Sequence, residues 1–194
     1  MTHPQRFLEI ASKVALAVDH QVIDRIVAGL LSLREAHGRL FFLGAGGSAA
    51  NCAHAVNDFR KLCGIEAYSA TDNVAELTAR TNDNGWETVF ESYLKTSRAK
   101  PADAIFVLSV GGGDVARNIS VGLIRAIEYA KRERMKTYGI VGRENCFTKQ
   151  AGDEVIVIPV PDPALLTPLA EAFQAIVWHA IVSDPRLSLH PPAW

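Results

Sequence analysis

The chain has 194 residues, 48% of them hydrophobic, a size and apolar content that suit one compact domain with a buried core. Its formal net charge is −1 and its basic residues form no long run, which argues against nucleic acid as a partner. No stretch approaches the roughly 20 consecutive apolar residues of a membrane span, and Cys52, Cys63 and Cys146 lack zinc-knuckle spacing and read as reduced thiols of a cytoplasmic protein.

Glu9, Lys13 and Asp19 interrupt the N-terminal segment, which predicts an amphipathic helix and not a secretion signal. Two helices are expected first, over 5–17 and 20–36. In the second, Val22, Ile26, Leu30 and Leu33 recur at helical spacing, and His37-Gly38 stops it. RLFFLGAGGS (39–48) then reads as an apolar strand running through glycines into a helix over 48–62. EAYSA (66–70) is a short strand, followed by helices over 73–81 and 86–97. DAIFVLSVGGGD (103–114) repeats the strand-glycine-helix pattern, with its helix over 115–133. KTYGIVG (136–142) and EVIVIPV (154–160) are two more strands, and a long helix over 164–183 closes the fold. The whole of 1–194 is thus one domain, with leading helices 5–36, an α/β core 39–184 and a Pro-rich tail 185–194.

Apolar strands alternating with helices predict a parallel sheet covered on both faces, with the ligand outside the carboxyl ends of the strands. Both glycine loops fall at such ends. Glycine lets backbone approach a ligand closely, and the helix N-terminus that follows offers free N–H groups to an anion. Gly44-Ala45-Gly46-Gly47-Ser48 and Ser109-Val110-Gly111-Gly112-Gly113-Asp114 therefore predict a phosphate or sugar site. The plain alternative is a pair of tight turns with Ser48 and Asp114 as N-caps. The first loop lacks the Gly-Lys-Ser/Thr of a P-loop and the spacing of a dinucleotide fingerprint, so a nucleotide is not expected.

His54 and Asp58, spaced i, i+4, project from one face of the helix behind the first loop. On the last helix Glu171 and His179 are eight apart, near two turns, and are expected on a common face. Imidazole with carboxylate is both a zinc set and a general acid/base set, and the sequence does not choose between them. Trp86, Trp178 and Tyr93 are assigned to core or interface packing, and Arg117 and Arg125 to solvated helix faces.

These residues together resemble the sugar isomerase (SIS) family, most closely its sedoheptulose 7-phosphate isomerase branch, over essentially the whole length. GGSAANCAH (46–54) resembles the first phosphate-side loop and the metal or catalytic histidine of that branch. TDN (71–73) and NDNGWETVF (82–90) resemble its central segment, whose aspartate, here Asp83, lines the site. ADAIFVLSVGGG (102–113) occupies the second phosphate loop, and Glu171/His179 falls where the family has Gln-x7-His.

The resemblance implies a flavodoxin-like, five-stranded parallel sheet and a homotetramer with active sites between subunits. It also implies ketose–aldose interconversion of a phosphorylated sugar through an enediol. Asp58 is then the carboxylate that moves the C1/C2 proton and His179 its acid/base partner. His54, Asp58, Glu171 and His179 form a zinc site, one ion per subunit. Gly46, Gly47, Ser48, Asn51, Asp83, Ser109, Gly111, Gly112, Asp114 and Glu171 contact substrate.

Some positions depart from the family pattern. Asp58 replaces Glu, one methylene shorter, a setback of about 1.5 Å on a scale where misplacement costs on the order of 100-fold in rate. Gly111 and Asp114 replace phosphate-binding serines, Pro168 replaces an active-site aspartate, and Arg60 or Lys61 stands in for an arginine missing from its place. Asp114, as N-cap of its helix, competes with phosphate and is expected to meet substrate hydroxyls. The competing reading is a non-catalytic SIS protein of the replication-initiator-associating type that binds a phosphosugar or a protein partner.

Overall fold

The computed structural model describes residues 1–190. Two helices lead, α1 (His3–Ala17) and α2 (His20–Glu35). The Thr2/Gln5 capping box starts α1, and the Asp19 side chain, accepting from the N–H groups of Gln21 and Val22, starts α2. The core then alternates β1 (Leu40–Leu43), α3 (Gly47–Cys63), β2 (Ala67–Ser69), α4 (Val74–Asn84), a 3-10 turn at Trp86–Thr88, α5 (Val89–Thr96), β3 (Ala104–Ser109), α6 (Val121–Arg132), β4 (Lys136–Val141), α7 (Phe147–Ala151) and β5 (Glu154–Val157). A second 3-10 turn, Pro163–Leu165, leads into α8 (Leu166–Val182). The five strands are all parallel, in the order β2-β1-β3-β4-β5. This is the flavodoxin-like order, as expected. Of the tail, Pro191, Pro192, Ala193 and Trp194 lie outside the described residues.

The strands are apolar on both faces because both faces are covered. Side chains alternate, so Leu40 and Phe42 of β1 join one core with Phe106, Tyr138, α2, α3 and α8. Phe41 and Leu43 join the other with Ile105, Val107, α5 and α6. Pro163–Val182 is long and apolar enough by composition to cross a membrane, yet half of it is buried within the fold and its sequence includes Glu171, Gln174 and His179, of which Gln174 is fully buried. It is a core helix.

The sheet order reverses between β1 and β3, whose ends lie side by side through the Leu43–Val107 pairing. Both glycine loops emerge there, at the topological switch point where ligands of such sheets bind. The second loop departs from expectation. Its helix begins at Val121 and not at 115, because Asp114 and Ile119 close a turn through reciprocal backbone hydrogen bonds of 3.0 Å. Asp114 is therefore no helix N-cap: its Oδ1 accepts the Arg117 N–H at 3.1 Å, inside that turn. Ser48 is no cap either, since Gly46 holds that position at φ 61 and the Ser48 hydroxyl is buried. Helix α4 buries none of its residues, and Leu8 and Leu16 of α1 are exposed.

Candidate active site

Two groups of the expected residues form, one around the middle and C-terminal half of α3 and one at its N-terminal turn. The first is His54, Asp58 and His179, whose ligand atoms all lie within 4.8 Å of one another. Oδ2 of Asp58 stands 3.4 Å from Nε2 of His54 and 3.4 Å from Nε2 of His179. Asp58 is buried beneath the two exposed imidazoles. Its Oδ1 accepts from the amide of Asn57 at 3.1 Å and its Oδ2 from the indole N–H of Trp178 at 3.1 Å. Trp178 is core, as expected, but it also holds this carboxylate.

The His179 tautomer follows from its partner. Nδ1 lies 2.8 Å from the carbonyl oxygen of Ala175, which only accepts, so Nδ1 carries the proton. A neutral ring then turns the Nε2 lone pair toward the Asp58 carboxylate. Such a contact is stable only if a proton or a metal ion stands between them. For bonds of about 2.1 Å, the edge of a tetrahedral zinc site is about 3.4 Å. Two of the three separations match it and the third stays within 4.8 Å, so two nitrogens and one oxygen form a donor set that suits zinc.

Glu171 does not join this group, contrary to the expected four-residue set. Eight helical residues separate it from His179 by about 12 Å along α8. Its carboxylate lies instead at the first turn of α3, so close that a Cβ on Gly47 would stand 2.6 Å from it. There it helps line a cavity of about 200 Å³ with Ser48, Ser109, Gly111, Trp86 and Ser120. The N-terminal end of α3 favours its charge.

Other expected contacts are spent within the fold. The Asn51 amide donates to the Glu171 carbonyl and to Gln174 Oε1, tying α3 to α8. Gly112 is buried: its N–H donates to Ser109 Oγ and its carbonyl accepts from Thr148 Oγ1. Asp83 is exposed on α4 beside Asn82 and is not among the residues that line the cavity. Arg60 reaches back to the Ala67 carbonyl and stacks on Tyr68, which takes it out of the site. Gly46 borders a neighbouring cavity with Asp72 and Trp86.

Sequence reasoning missed Gln174 and the roles of Trp86 and Trp178. Gln174 is fully buried and donates to Ser48 Oγ at 3.0 Å. A glutamine inside an apolar helix, one turn from Glu171, is its signal in the sequence. For the two tryptophans, sequence offered none.

No family model matches the chain. The chain is 28% identical to a probable phosphoheptose isomerase of Thermoplasma volcanium over 182 residues, 91% of this chain and 87% of that one. It is 30% identical to the phosphoheptose isomerase of Mycobacterium bovis (strain BCG / Pasteur 1173P2) over 187 residues, 93% and 87% of the two chains. In fold it resembles the structure of phosphoheptose isomerase GmhA from Neisseria gonorrhoeae, with a TM-score of 0.76 at 21% identity over 93% and 92% of the chains. The chain belongs to the phosphoheptose isomerase family.

Proposed function

We propose that the chain is an aldose–ketose isomerase that interconverts sedoheptulose 7-phosphate and its aldoheptose 7-phosphate, with Asp58 and His179 as the proton-transfer pair. Its family membership supports an isomerase over the non-catalytic binding protein. The observation that carries the site assignment is the buried Asp58 carboxylate facing two histidines through one oxygen. Asp58 takes the proton from one of C1 and C2 and returns it to the other, through an enediol. His179 and His54 serve the substrate oxygens, and the Ala175 carbonyl keeps the His179 ring oriented. His54, Asp58 and His179 would hold zinc, and a bound ion would supply Lewis-acid polarisation of those oxygens in place of the two imidazoles.

The glycine-loop cavity and the His/Asp cluster lie about 15 Å apart along α3, from Ser48 to Asp58. A tetramer in which the cavity of one subunit faces the cluster of another joins them, and the uncovered α4 and α1 surfaces support such packing. A cytoplasmic location agrees with the three free, buried thiols.

The test is to incubate the pure protein with sedoheptulose 7-phosphate, with and without zinc, and follow aldoheptose 7-phosphate by NMR. Turnover that Asp58→Asn abolishes is expected; turnover unaffected by Asp58→Asn ends the assignment. Light scattering that returned the mass of one chain would contradict the assembly.

A further inference from the structure

Gly111 separates two cavities of opposite charge. The first, already described, is small at about 200 Å³ and carries Glu171 as its one ionised side chain. The second, about 660 Å³, lies on the other side of Gly111, outside the carboxyl ends of β3 and β4. Its walls carry Arg117, Arg143 and Asp114, with Asn145 and Thr167 as neutral polar neighbours. Only the second falls within the range of about 300–1,000 Å³ usual for ligand pockets.

We propose that Arg143 and Arg117 hold the phosphate group of the sugar in this second cavity. The inference rests on the phosphosugar reading above, and it reassigns where the anion sits. The second loop has Gly111 and Asp114 where hydroxyl side chains would hold phosphate, neither loop has a lysine, and the Glu171 carboxylate already stands at the α3 N-terminus and repels a second anion. In the second cavity the balance is reversed, two guanidinium groups against one carboxylate. Asp114 is committed locally, with Oδ1 on the Arg117 N–H and Oδ2 3.7 Å from Arg117 Nε. Arg143 pairs with no carboxylate among the described residues. Guanidinium groups match phosphate geometry with parallel N–H donors.

The backbone agrees. Arg117 sits in the turn closed by Asp114 and Ile119, beside Asn118 and Ser120, both at φ 54. That turn sets Arg117 in the cavity wall. The sugar hydroxyls then extend past Gly111 toward Ser109, Ser48 and Glu171.

Binding of inorganic phosphate, followed by calorimetry, tests the site without turnover. Arg143→Ala and Arg117→Ala are each expected to weaken it about 10-fold, and the double variant to abolish it, as loss of charged hydrogen bonds predicts. Both arginines are exposed, so melting temperatures should hold. For sedoheptulose 7-phosphate, KM should rise with kcat nearly unchanged, the mark of lost uniform binding. Unchanged phosphate affinity and KM in the double variant overturn the proposal while leaving the isomerase reading intact. Glu171→Gln that strengthens phosphate binding while both arginine variants bind as wild type places the anion in the first cavity, and equally overturns it. Arginine-dependent phosphate binding without turnover of the heptose phosphate supports the site and removes the isomerase reading.

Discussion

The indole N–H of Trp178 donates to Oδ2 of Asp58 at 3.1 Å, the same oxygen that lies 3.4 Å from Nε2 of both His54 and His179. The shorter side chain at position 58 is thus fixed from below by a fully buried ring. Trp178→Phe keeps most of the packing and removes the donor. Loss of such an orienting partner is expected to lower zinc affinity and activity by about 10- to 100-fold. Stability should fall by about 1–3 kcal/mol, as for a buried acceptor left short of a partner. Cobalt titration followed by visible absorption reads the affinity; an unchanged affinity would mean that Asn57 alone orients Asp58.

The metal set is expected to be three residues. His54→Ala and His179→Ala should each abolish tight zinc binding, and Glu171→Gln should leave it unaltered, because the Glu171 carboxylate lies at Gly47. Metal analysis after dialysis against zinc decides this. Loss of zinc in Glu171→Gln would restore the four-residue set.

The adjacent glycines of the second loop should behave differently. A Cβ on Gly112 would lie 2.3 Å from Sγ of Cys146, at φ 69, whereas one on Gly111 meets nothing within 4 Å. Gly112→Ala is expected to cost about 1–3 kcal/mol, through overpacking and backbone strain. Gly111→Ala should stay within about 0.5 kcal/mol. Thermal melts, at about 2–4 °C per kcal/mol for a chain of this size, separate the two. Equal melting temperatures would show that the loop relaxes around Cys146.

All three thiols are buried, and burial raises the pKa of each, that of Cys63 to about 11. The folded chain should therefore react slowly with a disulfide reagent at neutral pH and fast once unfolded. A thiol held protonated in the fold contributes stability that is complete below its unfolded pKa of about 8.5. That contribution is lost as pH rises from there toward about 11 for Cys63. Denaturant midpoints should then decline across this alkaline window; a flat profile there would contradict the assignment.

The local pattern of the chain determined the architecture. Apolar runs at 40–43, 104–109 and 136–141, each followed by glycine or a turn and then a helix, leave a covered parallel sheet as the way to bury both faces. The i, i+4 spacing of His54 and Asp58 was legible for the same reason, since helix geometry alone puts them on one face. Helix geometry was also where the reading of Glu171 failed. Spacing near two turns aligns direction but says nothing of axial distance, and about 12 Å of rise divides Glu171 from His179. Which side chains meet across α3 and α8 was decided only by their packing, which set Trp178 under Asp58 and Gln174 under Ser48. The turn from Asp114 to Ile119 was likewise a tertiary outcome. Backbone pairing and two residues at positive φ outweighed the helix preference of 115–120, and so carried Arg117 from an expected helix face to the wall of a cavity.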